Sequence, residues 1–168
     1  MPKYVIDASV VLDWFEKDIA SEDSLSVYAK LVEGKIELCA PEYMWLEVIN
    51  VLVMKKKCNQ TETGEVMETI LNSGIAFEKI DIEEYKHVLS VMKEHHLASY
   101  DAQYIYLAKR KGIQVISVDN LMTKLKEITI RPEQIVRIGN VVHAVYEKGI
   151  SFNNYFILLA CPFLISIS

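Results

Sequence analysis

The chain has 168 residues, of which 51% are apolar, 24% charged and 10% aromatic, with six Gly and four Pro, a composition that excludes collagenous, low-complexity disordered and disulfide-scaffold classes. Cys39, Cys58 and Cys161 form no CxxC pair and leave one over in any pairing, which points to a reduced intracellular protein and away from cysteine-held metal. The net charge of -5 speaks against a general electrostatic nucleic-acid binder, yet it is uneven: residues 1–100 hold ten Lys against eighteen Asp and Glu, residues 101–137 hold seven Lys and Arg against four acids, and Gly149 to Ser168 carries no charge.

Met-Pro-Lys-Tyr-Val-Ile reaches Asp7 at once, so the start reads as part of the fold and not as a secretory signal. Tyr4-Val5-Ile6 is strand-like, and Ser9 to Glu16 reads as a helix that follows directly. Glu22 to Glu33 has Leu25, Tyr28, Leu31 and Val32 at helical spacing, with Gly34 placed to close it. Ile36 to Ala40 is a second strand, after which Pro41 is expected to open a helix to about Lys57. Thr61 is placed to cap the next helix, which ends near Gly74. Ile75 to Ile80 reads as strand, Ile82 to His95 as helix, and Ser99 as the cap of a helix from Tyr100 to Lys111 that stops at Gly112. Ile113 to Val118, β-branched and apolar, is the clearest strand. This alternation predicts an α/β fold, a three-layer α/β/α sandwich with a mainly parallel central sheet.

Ligands of open parallel sheets bind beyond the carboxyl ends of the strands. Asp7 and Asp119 follow directly on the buried-looking runs Tyr4-Val5-Ile6 and Val115-Ile116-Ser117-Val118. For either acid alone, capping the next helix is an equal explanation. Two more acids sit on helix stripes that should face inward: Glu47 with Tyr43, Met44, Asn50, Val51 and Met54, and Asp101 with Ile105 and Ala108. Lone carboxylates are rarely buried, because desolvation costs several kcal/mol. A buried ion pair is the competing account for Glu47, and favourable placement in a helix's first turn for Asp101. If all four converge, their repulsion calls for protonation or a cation. Oxygen donors without nearby His or Cys suit Mg²⁺ or Mn²⁺, and carboxylate-held divalent ions commonly serve phosphodiester hydrolysis by activating water.

Asp7-Ala8-Ser9 after the first strand, the helix containing Glu47, Ser99-Tyr100-Asp101-Ala102 running into Leu107-Ala108, and Ser117-Val118-Asp119-Asn120 after the last strand together resemble the PIN-domain ribonucleases, in particular the VapC-type toxins of prokaryotic toxin-antitoxin pairs. The similarity spans about residues 3–138. It implies that Asp7, Glu47, Asp101 and Asp119 bind Mg²⁺ or Mn²⁺ and catalyse RNA cleavage, with Ser9, Ser117 and Asn120 as polar support. Asn120 stands where the family often has another acid. The resemblance further implies a cognate antitoxin protein, homodimerisation and a cytoplasmic site of action.

Lys55 to Lys57 and the basic residues flanking Asp101 and Asp119 could contact phosphates, or could simply complement helix C-termini. His87, His95, His96 and His143 lack a second ligand at the spacing a metal site needs, Asp13 and Asp18 read as solvated, and Trp14 and Trp45 read as packing anchors. Two other functions remain open at this level: a PIN-fold module that grips RNA or protein without turnover, and a phosphatase with Asp7 as nucleophile, which would want an acid where Ser9 stands. Residues 1–148 are expected to form the nuclease domain. The uncharged segment 149–168 contains an apolar stretch, Tyr155 to Ile165, that is too short for a membrane helix and is expected to pack against the body or a partner.

Overall fold

The computed structural model describes residues 1–16 and 21–136; the expected tail 149–168, its boundary at Lys148, and the residues Asp18 and His143 lie outside them. Among the described residues, five strands form one sheet in the order β3-β2-β1-β4-β5, every neighbouring pair parallel. The strands are β1 (Lys3–Ile6), β2 (Glu37–Pro41), β3 (Ala76–Glu78), β4 (Gln114–Ile116) and β5 (Thr129–Ile130). The helices are α1 (Ala8–Asp13), α2 (Glu22–Val32), α3 (Met44–Asn50), α4 (Gln60–Asn72), α5 (Tyr85–His95), α6 (Ser99–Lys111) and α7 (Pro132–Val136). Helices flank an all-parallel sheet, so the expected α/β/α sandwich is the architecture of the chain.

Central strands of such a sheet are covered on both faces and therefore read as continuous apolar runs. Val5 and Ile6 of β1, and Val115 and Ile116 of β4, are fully buried. They are in register, Val5 opposite Val115 and Ile6 opposite Ile116. The Asp7 N–H extends the ladder by one bond to the Ile116 carbonyl, 3.0 Å. Successive connections leave β1 in opposite directions, β2 on one side and β4 on the other, so the strand order reverses between β1 and β4. That gap is the switch point at which open α/β sheets bind ligands.

Helix α6 lies across β1, β2 and β4. Ala102, Ile105, Leu107 and Ala108 bury its apolar face, and its end is closed by Gly112 at φ +66°, a left-handed conformation that glycine adopts without penalty. The start of α6 brings the first local correction. Ala98, and not Ser99, is the residue before the first helical turn, and Ser99 is already inside it. Likewise α4 is capped by Asn59, not Thr61: Asn59 Oδ1 accepts from the Glu62 N–H (3.0 Å) while Glu62 Oε2 accepts from the Asn59 N–H (2.7 Å), the reciprocal box that satisfies two otherwise orphaned donors.

Pro41 does not open α3; it is the last residue of β2, paired with Glu78 at the sheet edge. Helix α3 then passes into a π-helical stretch, Val51–Lys55, where the Lys56 N–H reaches back five residues to the Val51 carbonyl, 3.0 Å. An extra residue in the turn rotates everything after it. Hence Met54 faces solvent; Asn50, before the stretch, is exposed as well, and the buried stripe runs through Met44, Val48 and Leu52. The two-residue β5 and the short α7 carry too few residues to show any periodicity.

Trp14 and Trp45 are packing anchors as expected. Trp14 is buried against Tyr28 at 4.9 Å, its Nε1–H donating to the Ser24 carbonyl at 2.8 Å, and Trp45 rests on Phe77 at 4.6 Å. Lys30 of α2 is also buried, and its Nζ donates to the Ile135 carbonyl at the end of α7. No described helix is long and apolar enough to cross a membrane.

Candidate metal centre at the sheet switch point

Asp7 is the residue between β1 and α1, and only 3% exposed. Its backbone precedes the helix in an extended conformation, but its side chain makes no capping bond. The helix-cap explanation therefore fails for Asp7. Its Oδ2 instead accepts from the Ser9 hydroxyl at 2.5 Å and the Ser117 hydroxyl at 2.6 Å. Burial pushes the Asp7 carboxyl above its ordinary range, the two hydroxyls pull it back, and the charge of Asp119 pushes it up again.

Ser9 and Ser117 knit the two central strands' ends together. Ser117 Oγ also accepts from the Asp119 N–H at 3.0 Å, and Ser9 Oγ from the Val118 N–H at 3.4 Å. Both serines expected to support the site are thus in contact with its most buried acid. Asp119 is used differently. Its Oδ1 accepts from the N–H groups of Leu121 (2.7 Å) and Met122 (2.9 Å) at the start of the short 3-10 turn Met122–Lys124, so one of its oxygens does cap. Thr123 donates to the Asp119 carbonyl at 2.7 Å, and Arg131 donates to Thr123 at 3.3 Å. Asn120 is exposed.

Glu47, in the first turn of α3, is half-buried at the margin of the Met44–Val48–Leu52 stripe. Its Oε2 accepts from the Tyr104 hydroxyl at 2.8 Å. Burial raises its carboxyl to about 7, and the charges of Asp7 and Asp101 add to the rise; Tyr104 and the more distant Lys55 oppose it. Asp101, in the first turn of α6, is raised to about 6 by burial, then by Asp7, then by Asp119. Each of the four acids is therefore within electrostatic reach of at least one other, and Asp7 of all three. Four positions spread over more than 110 residues of sequence are thus brought within electrostatic influence of Asp7 at the carboxyl ends of β1 and β4. Among the described residues no three His, Cys, Asp or Glu side chains are already gathered as a ready coordination group; Asp7, Glu47 and Asp119 each hold protein donors.

Tyr104 was not legible as part of this site. It is wholly buried on the inner face of α6, one turn beyond Asp101. The available signal was a phenol amid Ala102, Ile105 and Ala108, because a buried hydroxyl requires a partner.

The basic residues sort differently. Lys109, Arg110 and Lys111 lie at the far end of α6, roughly 12 Å or more along the axis from Asp101 at about 1.5 Å per residue. They pair with Glu94 (3.1 Å), Glu84 (2.8 Å) and Glu78 (2.6 Å) respectively. Lys56 pairs with Glu16 at 2.5 Å. His95 is engaged with Glu94 and Lys109, and His96 ends α5 in a left-handed conformation.

A family model described as "PIN domain" matches residues 4–128. Among solved structures, the chain is similar to PAE2754 from Pyrobaculum aerophilum at 18% identity and a TM-score of 0.61, covering 85% of this chain and 96% of that one. It is similar to a chain of a toxin-antitoxin complex from Klebsiella pneumoniae at 14% identity and TM-score 0.59, covering 77% and 97%. It is also similar to the sarcin-ricin loop cleaving toxin VapC20 of Mycobacterium tuberculosis at 13% identity and TM-score 0.60, covering 73% and 94%. No curated protein matches the chain.

Proposed function

The chain belongs to the PIN domain family, and we propose that it is a metal-dependent endoribonuclease, the toxin of a toxin-antitoxin pair, acting in the cytoplasm as a homodimer. The observation that carries the reading is that Asp7 at the switch point lies within electrostatic reach of Glu47, Asp101 and Asp119, with Glu47 raised by burial and the charges of Asp7 and Asp101, and Asp101 by burial and the charges of Asp7 and Asp119. Carboxylates held in mutual repulsion favour a cation, and an all-oxygen donor set fits Mg²⁺ or Mn²⁺ in preference to softer ions. The similar structures named as a sarcin-ricin loop cleaving toxin and as a toxin-antitoxin complex share this fold and motivate the substrate and partner classes.

Bound there, the divalent ion would supply a water of lowered pKa and stabilise the leaving oxygen. The chain's own part is positional. Asp7 is fixed by Ser9 and Ser117, so its free carboxylate oxygen keeps one orientation. Tyr104 holds Glu47 through Oε2, leaving Oε1 for the site. Asp119 commits Oδ1 to the backbone and retains Oδ2. Asp101 makes no side-chain hydrogen bond among the described residues, and with its carboxyl raised to about 6 it can hold or release a proton near neutrality. Asn120, next to Asp119 and exposed, is the remaining polar side chain assigned a supporting role in this reading.

The test is cleavage of an end-labelled unstructured RNA by the full chain in Mg²⁺, in EDTA, and with Asp7→Asn. Cleavage lost in EDTA and in the variant supports the reading. Equal cleavage in EDTA would exclude the metal, and binding without turnover would favour the gripping module.

A further inference from the structure

Tyr43 and Tyr100 stack with ring centroids 5.1 Å apart and planes 13° from parallel. They come from separate elements. Tyr43 directly precedes α3, one turn before Glu47, and Tyr100 is the second residue of α6, next to Asp101. The pair therefore bridges the two helices that carry two of the four carboxylates, and the Tyr43 hydroxyl lies within electrostatic reach of Glu47, Tyr85 and Tyr100. Tyr100 is 47% exposed and Tyr85 41%, so the core does not consume these rings.

The local charge balance adds a second argument. Lys109, Arg110, Lys111 and Lys56 are paired with carboxylates elsewhere, so contacts that do not depend on these four cations would add to the affinity of RNA for this acidic edge. Stacking of bases on aromatic rings is independent of charge and tolerant of sequence, and single-stranded RNA presents unstacked bases for it. We infer that Tyr100, backed by Tyr43, stacks a nucleobase of the single-stranded RNA beside the scissile phosphate and is a substrate-positioning residue. This rests on the ribonuclease reading. A ring already seated on a second ring loses little freedom when a base is added, so the platform is preorganised.

The test uses the full chain and a fluorescein-labelled unstructured RNA with phosphorothioate linkages, its binding read by anisotropy separately from cleavage of the natural RNA. Tyr100→Ala should weaken binding about 5- to 150-fold, the span that loss of one base stack produces, and should raise KM more than it lowers kcat. Tyr100→Phe should stay within about twofold, since the ring and not the hydroxyl carries the stack. Tyr100→Leu, which keeps an apolar contact with Tyr43 and so guards against a folding defect, should lose as much as Ala. An RNA with one abasic nucleotide at the stacked position should bind the wild type and Tyr100→Ala equally. Unchanged binding by Tyr100→Ala, loss in Tyr100→Phe equal to that in Ala, or a difference that no abasic position erases would each overturn the inference. Wild-type binding with ring dependence but without cleavage would overturn the ribonuclease reading and retain the platform; no RNA binding by the wild type would overturn the platform itself.

Discussion

Replacing Tyr104 by Phe removes one hydroxyl from a fully buried ring and, with it, the 2.8 Å hydrogen bond to Glu47 Oε2. Hydrogen bonds to charged groups contribute about 1.5–3 kcal/mol, equivalent to roughly one to two pK units at about 1.4 kcal/mol each. Glu47 already titrates at about 7. Taking the lower bound, its pKa moves to roughly 8, and the ionised fraction at pH 7 falls from about one half to about one tenth. A metal must displace that proton, so Tyr104→Phe should bind Mn²⁺ and cleave RNA about fivefold less well at pH 7 and approach the wild type near pH 9. The assay is Mn²⁺ titration calorimetry together with kcat/KM from pH 6 to 9. A deficit of equal size at every pH would mean that the hydroxyl acts through packing, and no deficit at pH 7 would mean that Glu47 does not hold metal.

Other outcomes follow from the same geometry. Without metal, Glu47 at about 7 and Asp101 at about 6 both lie above their ordinary values of 4.5 and 3.8. The folded state therefore binds these protons more tightly, and the stability they contribute is complete below about pH 4 and lost as pH rises through 6 to 7. For Glu47 the loss is on the order of 2 kcal/mol after solvent screening, or about 4–8 °C in Tm between pH 5 and 8; Mg²⁺ should restore it, and a Tm that rises with pH in EDTA would contradict this. Ser117→Ala deprives Asp7 of one donor and should weaken metal binding by about 10- to 100-fold, measurable by the same calorimetry. Lys30→Met keeps the stem but leaves the Ile135 carbonyl without its donor, which should cost about 1–3 kcal/mol in urea unfolding and leave RNA cleavage intact.

The strands β1 to β4, and the acids as candidates at their ends and on inward helix faces, were legible because each signal was local. An Asp ending a β-branched run, or an acid on an apolar stripe, needs only a few residues of context. Glu47 was found through a stripe only partly right, since the π-helical stretch at Val51–Lys55 turns Met54 outward, and a sequence read at constant helical pitch cannot register that rotation. Tyr104, the Tyr43–Tyr100 stack and the ion pairs of Lys109, Arg110 and Lys111 were not legible. They join residues 15 to 57 positions apart in sequence, and their pairing is set by how α6 packs against α3, α5 and the end of β3. The opposite uses of Asp7 and Asp119, one held by serines and the other partly spent on a turn, likewise depend on backbone geometry past the strands.

The most direct test of the central claim is Mn²⁺ titration at pH 7.5 of the wild type against Asp7→Asn, Asp101→Asn and Asp119→Asn, each checked for folding by circular dichroism. The account expects saturable binding by the wild type, weakened at least about tenfold in every variant, because all three acids serve one site. Binding of equal affinity in the wild type and the three folded variants would show that the cluster at the switch point does not hold metal.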